Sequence, residues 1–228
     1  MNIDAVNQGK IENISIVRVK NNEKIKNKPY IYVKRGIDVI LSTIALVVLS
    51  PLFLILAILI KLDSKGPVFF LHTRIGKNGK NIKIYKFRTM VTNAEKLIKE
   101  FTPEQMKEYK ENYKLTNDPR ITKIGKFLRK TSLDELPQLI NIIKGDLSII
   151  GPRPVVKDEL EKYGENMAKF LSVTPGLTGN WAANGRNNTT YEERMKLELE
   201  YVDNISFKTD VKIFFQTIFA VIKKEGAM

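Results

Sequence analysis

The sequence has no cysteine and a single histidine, His72, among its 228 residues. The lack of cysteine excludes disulfide bonds, thiolate metal sites and cysteine nucleophiles. One histidine is too few for a histidine-built zinc site or a Ser-His-Asp triad. Any chemistry on this chain therefore depends on carboxylates, hydroxyls, lysine, arginine or a metal ion with oxygen ligands.

Common motifs of nucleotide-dependent enzymes are also missing. The chain has neither the Gly-x-x-x-x-Gly-Lys-Ser/Thr phosphate loop nor the Gly-x-Gly-x-x-Gly dinucleotide fingerprint. It also lacks Asp-x-Asp, the metal-binding motif of many nucleotide-sugar glycosyltransferases. ATP or NAD chemistry of the usual kinds is thus unsupported, although 43% apolar residues are enough for a folded core.

Positive charge is plentiful and unevenly placed. The formal net charge is +13, and residues 1–36 carry 8 Lys and Arg against 3 acids, while residues 61–90 carry 8 against 1. A basic patch is typical of nucleic-acid binding proteins. These two basic segments, however, flank the most apolar part of the chain, which favours anionic lipid headgroups as their partner.

Residues 39–60 form a run of 22 residues without a charge. A straight helix of this length, about 33 Å, could cross a bilayer as a single anchor. Basic residues on both sides and the Ser50–Pro51 pair in the middle favour instead a re-entrant helix-break-helix, because Pro51 opens the helix at the carbonyl of Val47. The Ser50 hydroxyl is placed to satisfy that carbonyl. At the start of this segment we expect Arg35 and Asp38 to form an ion pair at headgroup level.

The rest of the chain predicts one compact, mostly helical α+β domain. Residues 67–71 and 81–88 predict a short β-hairpin, with Lys86 and Arg88 on one face of the second strand. Helices are expected at 94–114 with a break near 102–103, and at 123–129, 133–144, 191–201 and 210–224, the last amphipathic. The predicted organisation is a polar lead-in (1–33), the re-entrant segment (34–62) and a catalytic domain (63–228).

The segment Thr131–Pro137 carries the most distinctive local pattern, an acidic pair at Asp134 and Glu135. One interpretation is a helix capping box with Ser132 as the N-cap residue and Glu135 at the third position. The other is chemical: an ionised aspartate can attack phosphorus, and a neighbouring carboxylate can help to hold magnesium. Arg153, between two prolines, would present a rigid phosphate ligand.

Taken in order, several long stretches resemble one family, the bacterial sugar transferases, also described as monotopic phosphoglycosyl transferases. They are KRGIDVILSTIALVVLSPLFLILAILIK, KIYKFRTM, NDPRITKIGKFLRKTSLDELPQLINIIKGDLSIIGPRP, PGLTG and NGRNNTTYEER. The resemblance covers residues 30–225. It differs at Ala182 and Ala183, where the family usually has bulkier polar or branched residues.

The resemblance implies a two-step exchange at the cytoplasmic face of the bacterial inner membrane. Asp134 would attack the β-phosphate of a UDP-sugar and release UMP, and undecaprenyl phosphate would then take the sugar-phosphate. Glu135 would complete the catalytic dyad, and both carboxylates would hold Mg²⁺. The implied phosphate or nucleotide ligands are Arg88, Arg129, Arg153 and Arg186.

The same resemblance supports Ser50–Pro51 as a helix break and Arg35 and Asp38 as headgroup-level residues. The expected partners are a UDP-sugar, undecaprenyl phosphate and membrane lipid, without nucleic acid, and a homodimer is left open. The rival hypothesis is a membrane-anchored basic module that binds anionic lipid or nucleic acid without catalysis. The sequence does not name the sugar or the glycan pathway.

Overall fold

A computed structural model describes residues 28–112, 115–185 and 189–222. It is dominated by helices, with a few short strands, as the sequence predicts. The helices are α1 (Lys28–Val48), α2 (Ser50–Asp63), α3 (Ala94–Leu97), α4 (Pro103–Asn112), α5 (Lys123–Thr131), α6 (Gln138–Lys144), α7 (Lys157–Glu161), α8 (Met167–Phe170), α9 (Asn180–Asn184), α10 (Tyr191–Asp203) and α11 (Phe207–Ile222). The strands are β1 (Phe69–Ile75), β2 (Asn81–Phe87), β3 (Ser148–Ile150) and β4 (Gly176–Thr178).

The apolar run folds as two helices that meet at a sharp bend. The segments 29–48 and 50–63 diverge by 61° at Leu49. As predicted, the Ser50 hydroxyl donates to the carbonyl of Val47 (2.8 Å), the group that Pro51 cannot bond. Within the described residues no single helix is long and apolar enough to cross a bilayer, whereas the bent pair reaches that length and composition only when its two helices are taken together.

Helix α1 is anchored to the rest of the fold by polar side chains. Asp38 is 4% exposed and accepts hydrogen bonds from the Ser148 hydroxyl (2.7 Å) and the Ile149 N–H (3.1 Å). Arg35 donates to the carbonyls of Ile142 and Ile143 in the last turn of α6. The expected ion pair between Arg35 and Asp38 is therefore replaced by two separate anchors, because strand and helix ends supply better partners for each side chain.

The outward faces of α1 and α2 remain apolar. Large side chains are more than half exposed along both helices, among them Tyr32, Val33, Ile40, Ile44, Val47, Val48, Leu54, Ile55, Ile58 and Leu62. A contiguous apolar surface of this kind marks a binding face for lipid or protein. The predicted lead-in, residues 1–33, lies outside the described residues except for 28–33, which form the start of α1.

The inward faces of the two helices pack on the hairpin. Strands β1 and β2 pair antiparallel, with Phe69 opposite Phe87 and Ile75 opposite Asn81. Buried Ile82 and Ile84 pack against α6 and α1. Buried Phe87 packs against α2 and α5. The hairpin thus packs against four helices: α1 and α2 of the bent pair, and α5 and α6.

Strands β3 and β4 form a second, parallel pair that the sequence analysis did not predict. Ser148 pairs with Gly176 and Ile150 with Thr178. A β-carbon added at Gly176 would lie 2.1 Å from the backbone nitrogen of Gly151. A β-carbon added at Gly179 would lie 2.1 Å from the carbonyl oxygen of Gly151. The glycines of GPRP and PGLTG therefore allow two backbones to approach closely, which explains their presence without a catalytic role.

The C-terminal helices close this second core. Helix α10 contains the predicted helix 191–201, and α11 begins three residues before the predicted start at Asp210. Asp210 is buried and accepts hydrogen bonds from the hydroxyls of Tyr30 and Tyr201 (both 2.7 Å) and from Lys34. Phe207, Phe215 and Phe219 lie more than half exposed on α11. The helix is therefore amphipathic, as predicted, and tied to α1.

Candidate active site

One face of the β-hairpin forms the floor of a cleft. Directly opposed residues of an antiparallel pair point to the same side. The register opposes Phe70 to Lys86 and His72 to Ile84, so these four side chains share one face, and Arg74 follows on the same side. The polar lining of this open cleft comprises His72, Arg74, Lys86, Glu135, Gln138 and Arg153.

The acidic pair reaches this face through an unusual turn after α5. Ser132 has φ of 56° and ψ of 16°, in the left-handed region that residues other than glycine rarely adopt. The chain then forms one 3-10 turn over Leu133–Glu135, and the Glu135 N–H donates to the Ser132 carbonyl (3.2 Å). The Ser132 side chain makes no capping hydrogen bond, so the capping-box interpretation is wrong. The turn instead directs both carboxylates towards β2.

Lys86 lies beside both carboxylates. Its ammonium nitrogen is 2.6 Å from Glu135 Oε1 and 4.0 Å from Asp134 Oδ2. All three side chains are partly buried, and Asp134 is the most enclosed, with 13% of its side chain exposed. Lys86 and Glu135 line the cleft, and Asp134 lies next to them, so Lys86 compensates the negative charge of both carboxylates.

The environment changes the acidity of Asp134. Burial raises its pKa to about 6, and the negative charge of Glu135 adds to this rise. The positive charges of Lys86 and Arg129 oppose it, and Lys86 has the larger effect of the two. Asp134 is then largely ionised at neutral pH, yet more basic than an ordinary aspartate. A carboxylate of higher basicity is a stronger nucleophile towards phosphorus, so this environment favours covalent catalysis.

Arg153 lines the cleft and is held at two points. Its backbone N–H donates to Oε1 of buried Glu198 (3.0 Å), and its guanidinium lies over the ring of Trp181, 5.7 Å from the centroid. Burial raises the pKa of Glu198 to about 7. The Gly-Pro-Arg-Pro turn therefore presents an exposed guanidinium at the cleft from a fixed backbone, as a phosphate ligand requires.

The other predicted arginines differ in their surroundings. Arg129 donates from Nε to the Thr89 hydroxyl (2.9 Å), and its charge influences the ionisation of Asp134. Arg88 is buried, and its guanidinium donates to the carbonyls of Ile60, Ser64 and Lys65. The Ile60 carbonyl lies in the last turn of α2, and the Ser64 and Lys65 carbonyls follow that helix, so Arg88 attaches the end of α2 to β2. Its role as a phosphate ligand stays a prediction.

The remaining predicted residues lie away from the cleft. Arg186 falls outside the described residues, so its role stays a prediction. Ser50 and Pro51 form the bend between α1 and α2, and Arg35 and Asp38 attach α1 to α6 and β3. These four residues serve the placement of the helix pair.

The fit of magnesium depends on Asp134 and Glu135. In the described part of the chain, no three His, Cys, Asp or Glu side chains are grouped so that they could hold a metal ion by themselves. Mg²⁺, however, is usually held by one or two carboxylates together with substrate phosphates and water. The adjacent carboxylates fit an ion that arrives with a diphosphate, provided that Lys86 releases Glu135.

Four polar residues of the cleft are not among the predicted site residues: His72, Arg74, Lys86 and Gln138. Lys86 was noted only for its place on a cationic strand face, and Arg74 was not singled out. The period-two alternation along β1 and β2 could have placed both on one face. Their contact with residues 135 and 159, far along the chain, depends on packing and has no local signal.

Burial and nearby positive charge lower the pKa of His72 to about 4, so it is neutral at pH 7.

Comparisons with known proteins agree with this geometry. The family model described as "Bacterial sugar transferase" matches residues 29–224. This chain belongs to that family. It is 41% identical to the undecaprenyl-phosphate galactose phosphotransferase of Salmonella typhimurium, over 94% of this chain and 45% of the relative. It is 46% identical to the exopolysaccharide production protein ExoY of Rhizobium meliloti, over 85% of this chain and 87% of the relative.

A third relative is an uncharacterized sugar transferase of Haemophilus influenzae, 43% identical over 94% of this chain and 45% of its own length. The chain thus spans about half the length of several curated sugar transferases that it matches. The family match includes the bent helix pair, the hairpin and the acidic turn, so the elements that build the cleft all belong to the shared region.

Proposed function

We propose that this sugar transferase moves a sugar-1-phosphate from a UDP-sugar to undecaprenyl phosphate, releasing UMP and forming undecaprenyl-diphosphosugar. This would be the first membrane step in the synthesis of a surface polysaccharide or glycoconjugate. The observation that carries the proposal is the partly buried Asp134, with its raised pKa, beside Lys86 at a cleft lined by cationic side chains. The names of relatives that act on undecaprenyl phosphate support it.

In the first step, a carboxylate oxygen of Asp134 attacks the β-phosphorus of the donor. The bond between this phosphorus and the bridging oxygen breaks, and UMP leaves with the electron pair. The sugar-phosphate remains on Asp134 as an acyl phosphate. No proton has to be transferred, since the leaving group is itself a phosphate that is stable as an anion.

In the second step, a phosphate oxygen of undecaprenyl phosphate attacks the same phosphorus. The bond to Asp134 breaks and the carboxylate is regenerated. Because the enzyme carries the sugar-phosphate between the two steps, the water-soluble donor and the lipid acceptor need not be bound together. Both steps therefore depend on one carboxylate, which acts as the nucleophile in the first and as the leaving group in the second.

The surrounding residues have distinct roles in this scheme. Lys86 keeps Asp134 ionised and compensates the charge of the incoming phosphate, while Glu135 shares Lys86 and completes the dyad. Arg153 binds a donor phosphate from the opposite wall. Magnesium, held by Asp134 and Glu135, would neutralise part of the diphosphate charge and so reduce its repulsion of the nucleophile.

The acceptor places the reaction at a membrane. We propose that α1 and α2 enter one leaflet from the cytoplasmic side and return, with the exposed apolar side chains in lipid. The bend at Leu49, the Ser50 hydrogen bond and the basic residues on both sides of the run support this arrangement. The amphipathic helix α11 would lie on the same surface.

Topology can be tested by single-cysteine labelling, because the natural chain has no cysteine. We expect Asn2→Cys and Lys80→Cys to react with an impermeant maleimide from the same, cytoplasmic side of the membrane. Labelling of the two positions from opposite sides would show a straight crossing and contradict the re-entrant arrangement.

The proposed reaction is tested by measuring UMP release from purified protein with magnesium and undecaprenyl phosphate. The donors are UDP-galactose, UDP-glucose and UDP-N-acetylgalactosamine, the sugars that relatives' names suggest. We expect UMP from at least one donor and a loss of at least about 1000-fold in Asp134→Asn. Asp158→Asn, an exposed aspartate on α7, is the matched control and should keep full activity.

Each alternative has its own result in this assay. Release of UDP in place of UMP would indicate direct glycosyl transfer and contradict the two-step scheme. Release of UMP at an unchanged rate by Asp134→Asn would exclude Asp134 as the nucleophile. Binding of the protein to lipid with no nucleotide product from an extended donor panel would favour the non-catalytic module.

A further inference from the structure

The register of the hairpin places His72 next to Lys86 on the floor of the cleft. On this face Lys86 is opposite Phe70. The next pair along the same face is His72 and Ile84, and Arg74 follows it. Diagonal neighbours on one face of an antiparallel pair, such as His72 and Lys86, have β-carbons about 7–8 Å apart. His72 therefore lies one step from the Lys86 end of the cleft, before the Arg74 end begins.

Gln138 reaches the same part of the cleft from helix α6. Three residues before it, Glu135 Oε1 is 2.6 Å from Lys86 Nζ. Three residues after it, the Asn141 side chain binds backbone groups of β2 on both sides of Ile84. Gln138 therefore lies between these two contacts, beside the middle of β2. It lines the cleft together with His72 and Ile84.

His72 offers a hydrogen-bond donor to the cleft. Arg74 Nη2 is 3.4 Å from His72 Nδ1, and a guanidinium can only donate, so Nδ1 is the acceptor. Because burial lowers the pKa of His72 to about 4, the ring is neutral at pH 7 and its one N–H lies on Nε2. Nε2 has no hydrogen-bond partner among the described residues.

The Gln138 amide also lacks a protein partner. The residue is 5% exposed and lines the cleft, and its side chain makes no hydrogen bond to any residue that the structure describes. A nearly buried amide is costly unless a ligand or water completes its hydrogen bonds. Its position at the cleft wall therefore indicates that a ligand with polar groups binds there.

The chemistry of these residues suits a hydroxylated ring. We call His72, Ile84 and Gln138 the neutral subsite. A phosphate is bound best by cations, which lie to either side of the neutral subsite at Lys86 and Arg74. Sugar hydroxyl groups both donate and accept hydrogen bonds, as an imidazole N–H and an amide require. The apolar C–H face of a sugar ring can pack on Ile84, which forms the floor.

The position of the neutral subsite fits the sugar of the donor. In the proposed reaction, the sugar is bonded through one oxygen to the β-phosphorus that Asp134 attacks. A hexose on a phosphate held beside Lys86 therefore reaches the next position along the hairpin, about 7–8 Å away. UMP leaves after the first step, whereas the sugar stays on Asp134, so a sugar subsite next to the nucleophile serves both steps.

We propose that His72 and Gln138 bind hydroxyl groups of the transferred sugar over Ile84, so that the neutral subsite is the sugar subsite of the cleft. This inference rests on the proposed function for the identity of its ligand. His72 donates from Nε2, and Gln138 donates and accepts through its amide. The uracil ring also carries carbonyl and N–H groups, and its presence at these residues is the outcome that the test must separate from the proposal.

The test compares the binding of UDP-sugars with that of UDP, which has the same nucleoside and phosphates but no sugar. Isothermal titration uses the full-length Asp134→Asn protein, which lacks the proposed nucleophile, with UDP-galactose, UDP-glucose, UDP-N-acetylgalactosamine and UDP. His72→Phe and Gln138→Leu are made in this background. Each should raise the Kd of the tightest-binding UDP-sugar by about tenfold, the effect of losing a hydrogen bond, and leave the Kd of UDP unchanged.

Thr73→Val is the matched control. Thr73 follows His72 on β1 and is exposed on the opposite face, and the substitution removes a hydroxyl group at nearly constant size. Neither Kd should change in this variant. His72→Gln keeps a neutral donor and should retain most of the affinity that the sugar adds, whereas a loss equal to that of His72→Phe would exclude the hydrogen bond from His72.

Thermal unfolding of each variant checks that it is folded, and either His72→Phe or Gln138→Leu gives the decisive value if the other is not. An equal rise in the Kd of UDP and of the UDP-sugar in a folded variant would assign these residues to the nucleotide and overturn the proposal. Unchanged Kd values for both ligands would overturn it as well.

Failure of this inference is distinguishable from failure of the proposed function. UMP release by the natural protein, together with unchanged UDP-sugar affinity in His72→Phe and Gln138→Leu, would overturn the subsite and leave the reaction intact. UDP-sugar binding that depends on both residues, with no UMP released from any donor by the natural protein, would support the subsite and contradict the reaction.

Discussion

The bent helix pair and the cleft arrange polar and apolar side chains in opposite ways. In α1 and α2, apolar side chains such as Val47 and Leu54 face outward, and the carboxylate of Asp38 is buried. In the cleft, Lys86 and Glu135 face the opening, while Ile84 is 3% exposed beneath them. One region suits an apolar surrounding and the other suits charged ligands, as the proposed transfer between a soluble and a lipid phosphate requires.

Two cations separated by one residue show this contrast within a single strand end. Lys86 reaches the acidic pair at the cleft, whereas Arg88 turns inward and donates to carbonyls just after the end of α2. Similar charge therefore lies beside the candidate nucleophile in one region and attaches the helix pair in the other. The difference comes from which unpaired groups lie within reach: carboxylates for Lys86, helix-end carbonyls for Arg88.

Among the variants that leave Asp134 in place, Lys86→Met should have the largest effect on activity. Lys86 opposes the rise in the pKa of Asp134, so its removal should move that pKa above about 6. The nucleophile must be ionised, and activity should therefore fall by about 100-fold near pH 6 and less at higher pH. The measurement is the pH dependence of kcat/KM, with Lys83→Met as control. An acid limb at the natural position would contradict the role of Lys86.

A comparison of Arg88→Met with Arg153→Met sharpens the contrast between the regions. Loss of Arg88 leaves several carbonyls at the end of α2 without donors and should lower the free energy of unfolding by about 3 kcal/mol. Loss of Arg153 should leave Tm nearly unchanged and raise the KM of the donor about tenfold. The reverse result, a stable Arg88→Met with a high KM for the donor, would support Arg88 as a phosphate ligand.

Asp134→Asn should stabilise the fold while abolishing turnover. The folded state raises the pKa of Asp134 from 3.8 to about 6, so its ionised form costs on the order of 3 kcal/mol at pH 7. The cost is complete above the folded pKa and disappears as pH falls to the unfolded value. Urea unfolding should therefore show the gain near pH 7.5 and none near pH 4. If Asp134→Asn and the natural protein had equal free energies of unfolding at both pH values, the fold would not raise the pKa of Asp134.

Sequence patterns were enough for the helical fold and the acidic pair. The break at Ser50–Pro51 followed from the missing proline N–H, and most helices from their apolar periodicity. The parallel pair of β3 and β4 was missed because strands of three residues carry almost no periodic signal. The choice of a catalytic role for the acidic pair came from the resemblance to a family, because a helix capping box was an equally good explanation of the residues Ser132 to Glu135.

The partners of single side chains could not be predicted in the same way. Arg35 and Asp38 are neighbours on one helix face, but each finds a backbone partner more than 100 residues away. Lys86 meets Glu135 across a separation of 49 residues. Contacts of this kind depend on the packing of α1 and α6 against the hairpin, which no local window of sequence contains.

The most direct test of Asp134 as the nucleophile is mass spectrometry of the protein after incubation with a UDP-sugar and magnesium but without acceptor, followed by an acid quench and proteolysis. The account predicts a sugar-phosphate on the peptide that contains Asp134, localised to that residue and removed by later addition of undecaprenyl phosphate. The Asp134→Asn protein should show no adduct. Release of UMP with an unmodified Asp134 peptide, or an adduct localised to Glu135, would contradict the account.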